Sequence, residues 1–199
     1  MRNIFIIHGS YGSPQNNWFP WLKKELSKLG HRVFIPQFPI PPIEKQDSSY
    51  GGHNLSEWIE TLNDYNKYID SDTIFIAHSR GCVFTYHYLA KIKQSIAGTF
   101  LIAPWINFLW YPKNNKKIDS FHKVPFDWKQ IKKGSRYFEV HQSTNDDTPV
   151  SEGQEIAKKL NANLIVVKNA GHFNVGTDKK FVKFPLLLKS VKSFIDKNS

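Results

Sequence analysis

The sequence predicts an α/β protein whose mainly parallel sheet is covered by helices on both faces. Short apolar runs of strand length alternate along the chain with longer segments of helical periodicity. Such alternation favours parallel strands joined by crossover helices, and strands buried on both faces are continuously apolar. The 199 residues, of which 40% are hydrophobic and 22% charged, suit one domain with a sizeable core.

The first half of the chain alternates regularly. Strands are predicted at residues 2–7, 31–35 and 72–78, and helices at 16–29, 55–69 and 82–92. Gly30 follows the first helix at the position where a left-handed residue is favoured, so that helix is expected to end there. Four prolines between residues 36 and 42 predict an extended loop.

The second half alternates with one interruption. A strand is predicted at residues 98–103, but the next segment, about 105–134, mixes Trp, Phe, Pro and Lys without a clean period. We expect this segment to be a lid or cap insertion within a single domain of residues 1–199. Alternation then resumes with strands at 137–141 and 164–167 and helices at 151–160 and 181–197.

The stretch IFIAHSRG at residues 74–81 has the pattern of a nucleophile elbow, nominally Gly-x-Ser-x-Gly. A tight turn of this kind lifts the Ser79 side chain above the sheet, where a base can reach its hydroxyl. Small residues are needed two positions to either side because strand and helix backbones crowd there, and Ala77 and Gly81 occupy these positions. Ala77 departs from the first glycine of the motif. The alternative interpretation is that Ser79 only caps the following helix.

An activated serine needs an imidazole base, and the imidazole needs a carboxylate that fixes its tautomer and stabilises its charge. In the α/β-hydrolase fold these groups follow in the order Ser, acid, His, on loops after later strands. Asp147 and His172 each follow a predicted strand at its carboxyl end. Asp147 is preferred as the acid because its acid-x-x-apolar spacing lets Val150 pack beneath the loop, and Asp146 is the rival.

An acyl-transfer site also needs backbone donors for the developing oxyanion. One is expected to be the N–H of Arg80, the residue after the nucleophile. The other is expected from the loop after the first strand, with Ser10 preferred and Tyr11 next. Gly9 and Gly12 would let that loop turn inward toward the substrate.

With these residues in place, the sequence resembles the small serine hydrolases related to retinoblastoma-binding protein nine. The matching segments are IIHGSYGSPQNNWFPWL at 6–22, IFIAHSRG at 74–81, STNDDTPVS at 143–151 and NAGHFN at 169–174. The resemblance implies an α/β-hydrolase core with a modest cap, a triad of Ser79, Asp147 and His172, esterase-like activity, and no metal or organic cofactor. The acid loop is one residue longer than a tight Asp-Asp-Pro version, which puts the choice of acid in question.

The net charge of +10 comes chiefly from lysine, since 23 of the 27 basic residues are Lys. Residues 111–136 alone contain eight basic and two acidic side chains, and Lys113, Lys116 and Lys117 could draw in anionic substrates or a membrane surface if they rim the pocket. A site that grips phosphates would more often use arginine forks, so we expect no nucleic-acid partner.

Several function classes are disfavoured by what the sequence contains. The apolar run near Met1 is too short for a signal peptide, and no stretch approaches the length of a transmembrane segment. The single cysteine, Cys82, cannot form an internal disulfide, so a reducing compartment and a cytoplasmic location are expected. The histidines show no metal-ligand spacing, so no metal site is expected. The oligomeric state is left open.

Other side chains near the expected site have structural interpretations. His8 is expected to support its loop, His78 to support the elbow, and Cys82 to be a buried small hydrophobe. Trp105 with Phe108, Trp110 and Tyr111 either line an acyl pocket or pack the cap.

The sequence thus predicts a serine hydrolase that cleaves small carboxylic esters, with thioesters or amides as related substrates. The alternative is a protein-binding module on a hydrolase scaffold without catalytic turnover.

Overall fold

The structure, a computed structural model, describes residues 1–42, 52–106 and 120–198. The strands in these ranges are β1 (Asn3–Ile7), β2 (Arg32–Phe34), β3 (Ile74–His78), β4 (Gly98–Ile102), β5 (Phe138–Ser143) and β6 (Asn163–Val167). The helices are α1 (Phe19–Lys28), α2 (Leu55–Asn63), α3 (Arg80–Leu89), α4 (Trp128–Lys133), α5 (Val150–Leu160) and α6 (Pro185–Lys197), with short 3₁₀ turns at Asn66–Tyr68 and Lys179–Val182. The predicted α/β class is confirmed.

The strands form one parallel sheet in the order β2-β1-β3-β4-β5-β6. From β1 the chain crosses first to one side, to β2, and then to the other side, to β3. The carboxyl ends of β1 and β3 therefore border the crevice in which open α/β sheets bind their ligands. Both strands are followed directly by residues of the predicted site.

Two apolar layers cover the sheet, as period-two alternation along buried strands requires. On β1, Ile4 and Ile6 pack with the buried faces of α1 and α6, whereas Phe5 and Ile7 pack with those of α2, α3, α4 and α5. Every residue of β3 and β4 is buried. The elbow thus follows a fully buried strand, β3, whose neighbour β4 is fully buried as well.

Several helix boundaries differ from the predictions. The helix predicted over 55–69 ends as α2 at Asn63, and the helix predicted from 181 begins as α6 at Pro185. Proline is well placed at the first position of a helix, where its missing N–H leaves no helical bond unmade. The segment without a clean period contains α4, whose start is capped by Asp127 accepting from the Gln130 N–H at 3.0 Å.

Part of the predicted insertion at about 105–134 lies outside the described residues, namely 107–119 with Phe108, Trp110, Tyr111, Lys113, Lys116 and Lys117. The assignment of residues 1–199 to one domain with a cap insertion therefore stays a prediction. In the described part of the chain, no helix is both long and apolar enough to cross a lipid bilayer.

Candidate active site

Ser79 lies in the one-residue turn between the end of β3 and the start of α3. Its backbone has φ 55° and ψ −124°, a left-handed conformation that is uncommon for a residue with a side chain. Ser79 occupies the N-cap position of α3, but its side chain makes no capping hydrogen bond. Ser79 instead lines a pocket at the carboxyl edge of the sheet. This is the geometry of a nucleophile elbow and not that of a helix cap.

The crowding that the elbow motif anticipates is present on both sides of Ser79. A Cβ atom on Gly81 would lie 2.5 Å from the Ile7 carbonyl oxygen and 2.7 Å from that of His8. A Cβ atom on Gly9 would lie 2.9 Å from Ser79 Cβ. Real Cβ atoms do not approach other atoms so closely, so both positions require glycine. Ala77 is fully buried and tolerated.

The structure places the rival aspartate, Asp146, and not Asp147, beside His172. His172 Nδ1 donates to the carboxylate of Asp146, with its two oxygens at 2.9 and 3.0 Å, and Asp147 makes no such contact. The Asp146 side chain is fully buried, whereas Asp147 is exposed at the pocket. The acid-x-x-apolar spacing that favoured Asp147 does not predict this contact, because Val150 begins α5 and its position does not decide which of two adjacent carboxylates turns toward His172.

A row of hydrogen bonds joins the loop after β5 to the loop after β6. The Ser143 and Thr144 hydroxyls accept from the N–H groups of Ala170 at 2.9 Å and Asn169 at 3.0 Å, and Asn145 Oδ1 accepts from Gly171 N at 2.7 Å. The Asp146–His172 contact continues this row. Sequence reasoning missed these polar residues, although their position directly before the paired aspartates was the available signal.

Gly171 allows the His172 loop to close. Its φ is 53°, and an added Cβ would lie 2.6 Å from the Thr177 side chain. The Thr177 hydroxyl in turn accepts from the His172 N–H at 3.1 Å. The loop backbone is therefore fixed on both sides of the imidazole.

His78 supports this loop from below. Its Nε2 donates to the His172 carbonyl oxygen at 2.8 Å, so His78 is the neutral Nε2–H tautomer. Burial, reinforced by the neighbouring His172 ring, lowers the pKa of His78 to about 3. His78 therefore stays uncharged at neutral pH, as a supporting residue rather than a base.

The loop after β1 is held by His8. Its Nδ1 donates to the Gly9 carbonyl at 2.8 Å and its Nε2 accepts from Phe38 N at 3.1 Å, while burial lowers its pKa. The Gly12 N–H donates to the Gly9 carbonyl oxygen at 3.2 Å, which closes the turn, and Tyr11 within it adopts a φ of 54°. His8 thus supports its loop through both ring nitrogens.

The two expected oxyanion residues lie at this edge of the sheet. Ser10 and Tyr11 line the pocket, and Arg80 is the first residue of α3, where N–H groups have no acceptor within the helix. The Arg80 and Ser10 side chains also contact each other, since Arg80 Nε donates to Ser10 Oγ at 2.7 Å.

These groups surround one cavity of about 450 Å³, within the usual size for small-molecule sites. Its lining includes catalytic candidates, the glycine loop and apolar side chains, namely Ser79, Asp146, His172, Gly9, Ser10, Phe19, Trp105 and Pro149. Trp105 is stacked on His122, with ring centroids 4.9 Å apart. No hydrogen bond joins Ser79 Oγ to His172 in the described structure, and bonds of this kind often tighten only with substrate bound.

Other nucleophiles and ligands are set apart from this chemistry. Cys82 is buried one turn into α3, its thiol donates to the Ala77 carbonyl at 3.3 Å, and burial raises its pKa. Within residues 1–42, 52–106 and 120–198, no three His, Cys, Asp or Glu side chains group so as to hold a metal ion.

Comparison with known proteins agrees with this geometry. The putative hydrolase YdeN of Bacillus subtilis is 27% identical over 201 residues, an alignment that covers 100% of this chain and 98% of YdeN. The crystal structure of YdeN superposes with a TM-score of 0.83 and covers 98% of this chain and 100% of the YdeN chain. The serine hydrolase RBBP9 of Rattus norvegicus is 25% identical over 194 residues, covering 96% of this chain and 94% of RBBP9. Est1E of Butyrivibrio proteoclasticus, solved with ferulic acid bound, has the same fold at 16% identity and a TM-score of 0.71. The superposition covers 99% of this chain and 89% of the Est1E chain.

The match to the serine hydrolase family covers residues 4–193, which is nearly the whole chain and includes every loop that lines the pocket. With the elbow at Ser79, the paired His172 and Asp146, and relatives that align end to end, the chain belongs to the serine hydrolase family and is a small α/β-hydrolase-fold protein related to RBBP9.

Proposed function

We propose that the protein hydrolyses small carboxylic esters through an acyl-enzyme on Ser79, with His172 as the base and Asp146 as the acid. The observation that carries the proposal is the buried carboxylate of Asp146 on His172 Nδ1, in the pocket that also exposes the strained Ser79. An imidazole held at Nδ1 keeps its other nitrogen, Nε2, as the basic one.

The reaction proceeds in two steps, acylation of Ser79 and hydrolysis of the acyl-enzyme. Ser79 Oγ attacks the ester carbonyl carbon as its proton passes to His172 Nε2, and the oxyanion is stabilised by the N–H groups of Arg80 and Ser10. Collapse of this intermediate breaks the ester bond, and the leaving alkoxide takes the proton from His172. Water then attacks the acyl-Ser79 ester as its proton passes to His172 Nε2, the acyl–Oγ bond breaks, and Ser79 Oγ takes the proton back as the carboxylic acid is released.

The cavity favours a compact substrate with an apolar part. Phe19, Trp105 and Pro149 line it beside the nucleophile, and its volume holds a small acyl chain. The ferulic acid in Est1E shows that a related fold accommodates an aromatic carboxylic acid, which supports esters as the first class to test. Thioesters and amides follow because the same acyl-enzyme would form from them.

The test is labelling by a fluorophosphonate probe, followed by hydrolysis of p-nitrophenyl esters of increasing acyl length. We expect wild type to be labelled and active, Ser79→Ala to lose both properties and His172→Ala to react far more slowly. Ser27→Ala, an exposed serine on α1, is the matched control and should behave as wild type. A folded wild type that is neither labelled nor active would refute the proposal and favour a binding module on the hydrolase scaffold.

A further inference from the structure

The Arg80 side chain is fully buried directly after the nucleophile. Its Nε donates to Ser10 Oγ at 2.7 Å, and its guanidinium carbon lies 5.1 Å from the centre of the Phe121 ring. Burying a guanidinium costs free energy unless hydrogen bonds and other contacts compensate for its lost hydration. The fold must therefore stabilise Arg80 at this position. Phe121 is itself fully buried, and His87 of α3 donates to its carbonyl at 2.6 Å.

Ser10, which accepts the bond from Arg80 Nε, belongs to the turn from Gly9 to Gly12. The turn is anchored at its start by His8, and Tyr11 beyond Ser10 is 39% exposed. The inner half of the turn is therefore fixed to the sheet, whereas its tip faces the pocket. The bond from Arg80 to Ser10 Oγ links this tip directly to α3.

The same two residues provide the two backbone N–H groups of the proposed oxyanion hole. Arg80 N lies on the rigid elbow, since Gly81 is wedged against the Ile7 and His8 carbonyls. Ser10 N lies on the turn after β1, a loop separate from the elbow in sequence, whose next residue, Tyr11, is 39% exposed. A bond between the two side chains therefore restrains the distance between the two backbone donors.

We propose that Arg80 and Ser10 are positioning residues whose side-chain hydrogen bond preorganises the oxyanion hole. The inference rests on the proposed function and adds to it a role for two side chains that do not touch the reacting atoms. Misplacing a catalytic group by about 1 Å can cost on the order of 100-fold in rate, and losing an oxyanion donor costs about 100- to 1000-fold. Loosening the turn should cost less than losing the donor.

The test compares Ser10→Ala, Ser10→Thr and Arg80→Met with wild type in steady-state ester hydrolysis. Ser10→Ala and Arg80→Met should each lower kcat about 10- to 100-fold with KM changed less than about threefold, because the hole acts on the transition state. The double variant should be no slower than Arg80→Met alone, since both substitutions remove the same Arg80–Ser10 hydrogen bond. Ser10→Thr keeps the hydroxyl and should restore most of kcat.

A second readout separates positioning from general loosening of the fold. The affinity for a boronic acid, which forms a tetrahedral adduct on Ser79, should fall in parallel with kcat, whereas the affinity for a planar carboxylate product should not. Ser13→Ala removes a hydroxyl just outside the turn and is the matched control. Thermal unfolding of each variant shows whether it is folded, and if Arg80→Met does not fold, Ser10→Ala decides.

The outcomes distinguish the two proposals. A folded Ser10→Ala variant with wild-type kcat and wild-type boronate affinity would overturn the positioning role while leaving the ester hydrolase intact. A wild type that neither hydrolyses esters nor reacts with the fluorophosphonate would overturn the proposed function, and the positioning role with it.

Discussion

Exchanging Asp146 for asparagine provides the sharpest test of the site, because the neighbouring Asp147 offers the same change of charge one residue away. In the structure Asp146 Oδ1 also accepts from Thr148 N at 3.1 Å. An asparagine at this position keeps its oxygen facing Thr148 N and therefore places its NH₂ group where Oδ2 now lies. That group would face His172 Nδ1 across 2.9 Å.

The remaining oxygen, 3.0 Å from Nδ1, already accepts from Thr148 N, whereas the NH₂ group can donate to an unprotonated Nδ1, so we expect His172 to shift to the tautomer that carries its proton on Nε2. That tautomer cannot take the proton from Ser79. Loss of the correct tautomer in a serine triad costs about 10⁴-fold in kcat, equivalent to about 5 kcal/mol at 1.36 kcal/mol per tenfold. We expect Asp146→Asn to lose about 10³- to 10⁴-fold in kcat and Asp147→Asn to stay within about threefold.

The assay is steady-state hydrolysis of the best p-nitrophenyl ester, with the rate of fluorophosphonate labelling as a second measure. Both variants must unfold at temperatures close to wild type, so that the comparison concerns chemistry. If Asp147→Asn is the crippled variant and Asp146→Asn is active, the reasoning from this geometry is refuted.

Three further predictions concern the surroundings of the site. The pKa of His78 is about 3 in the folded protein against an ordinary value of 6.5, so protons bind the unfolded chain more readily and stability is lost as pH falls between these values. The free energy of unfolding from urea titrations should therefore fall by up to about 1.4 kcal/mol per pH unit in this window, and by less in His78→Gln. Gly81→Ala should destabilise by about 3 kcal/mol or fail to fold, because its Cβ would overlap two carbonyl oxygens, whereas Gly30→Ala, in open space at φ 82°, should cost only about 1 kcal/mol in thermal unfolding. Iodoacetamide should label Cys82 only after denaturation, and rapid labelling of the native protein would contradict its buried, protonated state.

Much of the fold was predictable because it rests on patterns that sequence carries directly. Apolar runs at 72–78 and 98–103 correspond to the fully buried β3 and β4. The position of Ser79 followed from small residues on both sides, since the need for glycine at Gly81 comes from carbonyl oxygens only 2.5 and 2.7 Å away. These are local or periodic constraints that leave a trace in residue type.

The choice between adjacent aspartates left no such trace. Which carboxylate turns toward His172 depends on the bonds that Ser143 and Asn145 make to a loop about 25 residues later. The supporting bond from His78 to the His172 carbonyl likewise spans 94 residues. Long-range hydrogen bonds of this kind are set by tertiary packing, and residue type alone does not specify them.

The left-handed backbone at Ser79 has a consequence for how this protein can evolve. Tyr11, Ala103, Asn169 and Phe173 also adopt positive φ without being glycine, and all lie beyond the carboxyl ends of strands. Such conformations cost of order 1–3 kcal/mol each, and the remainder of the domain must supply that stability. Replacing Ser79 with glycine should relieve one of these costs and raise the melting temperature while abolishing turnover. Selection for heat resistance alone would therefore favour inactive variants at this position, so a thermostable descendant has to gain its stability elsewhere in the domain.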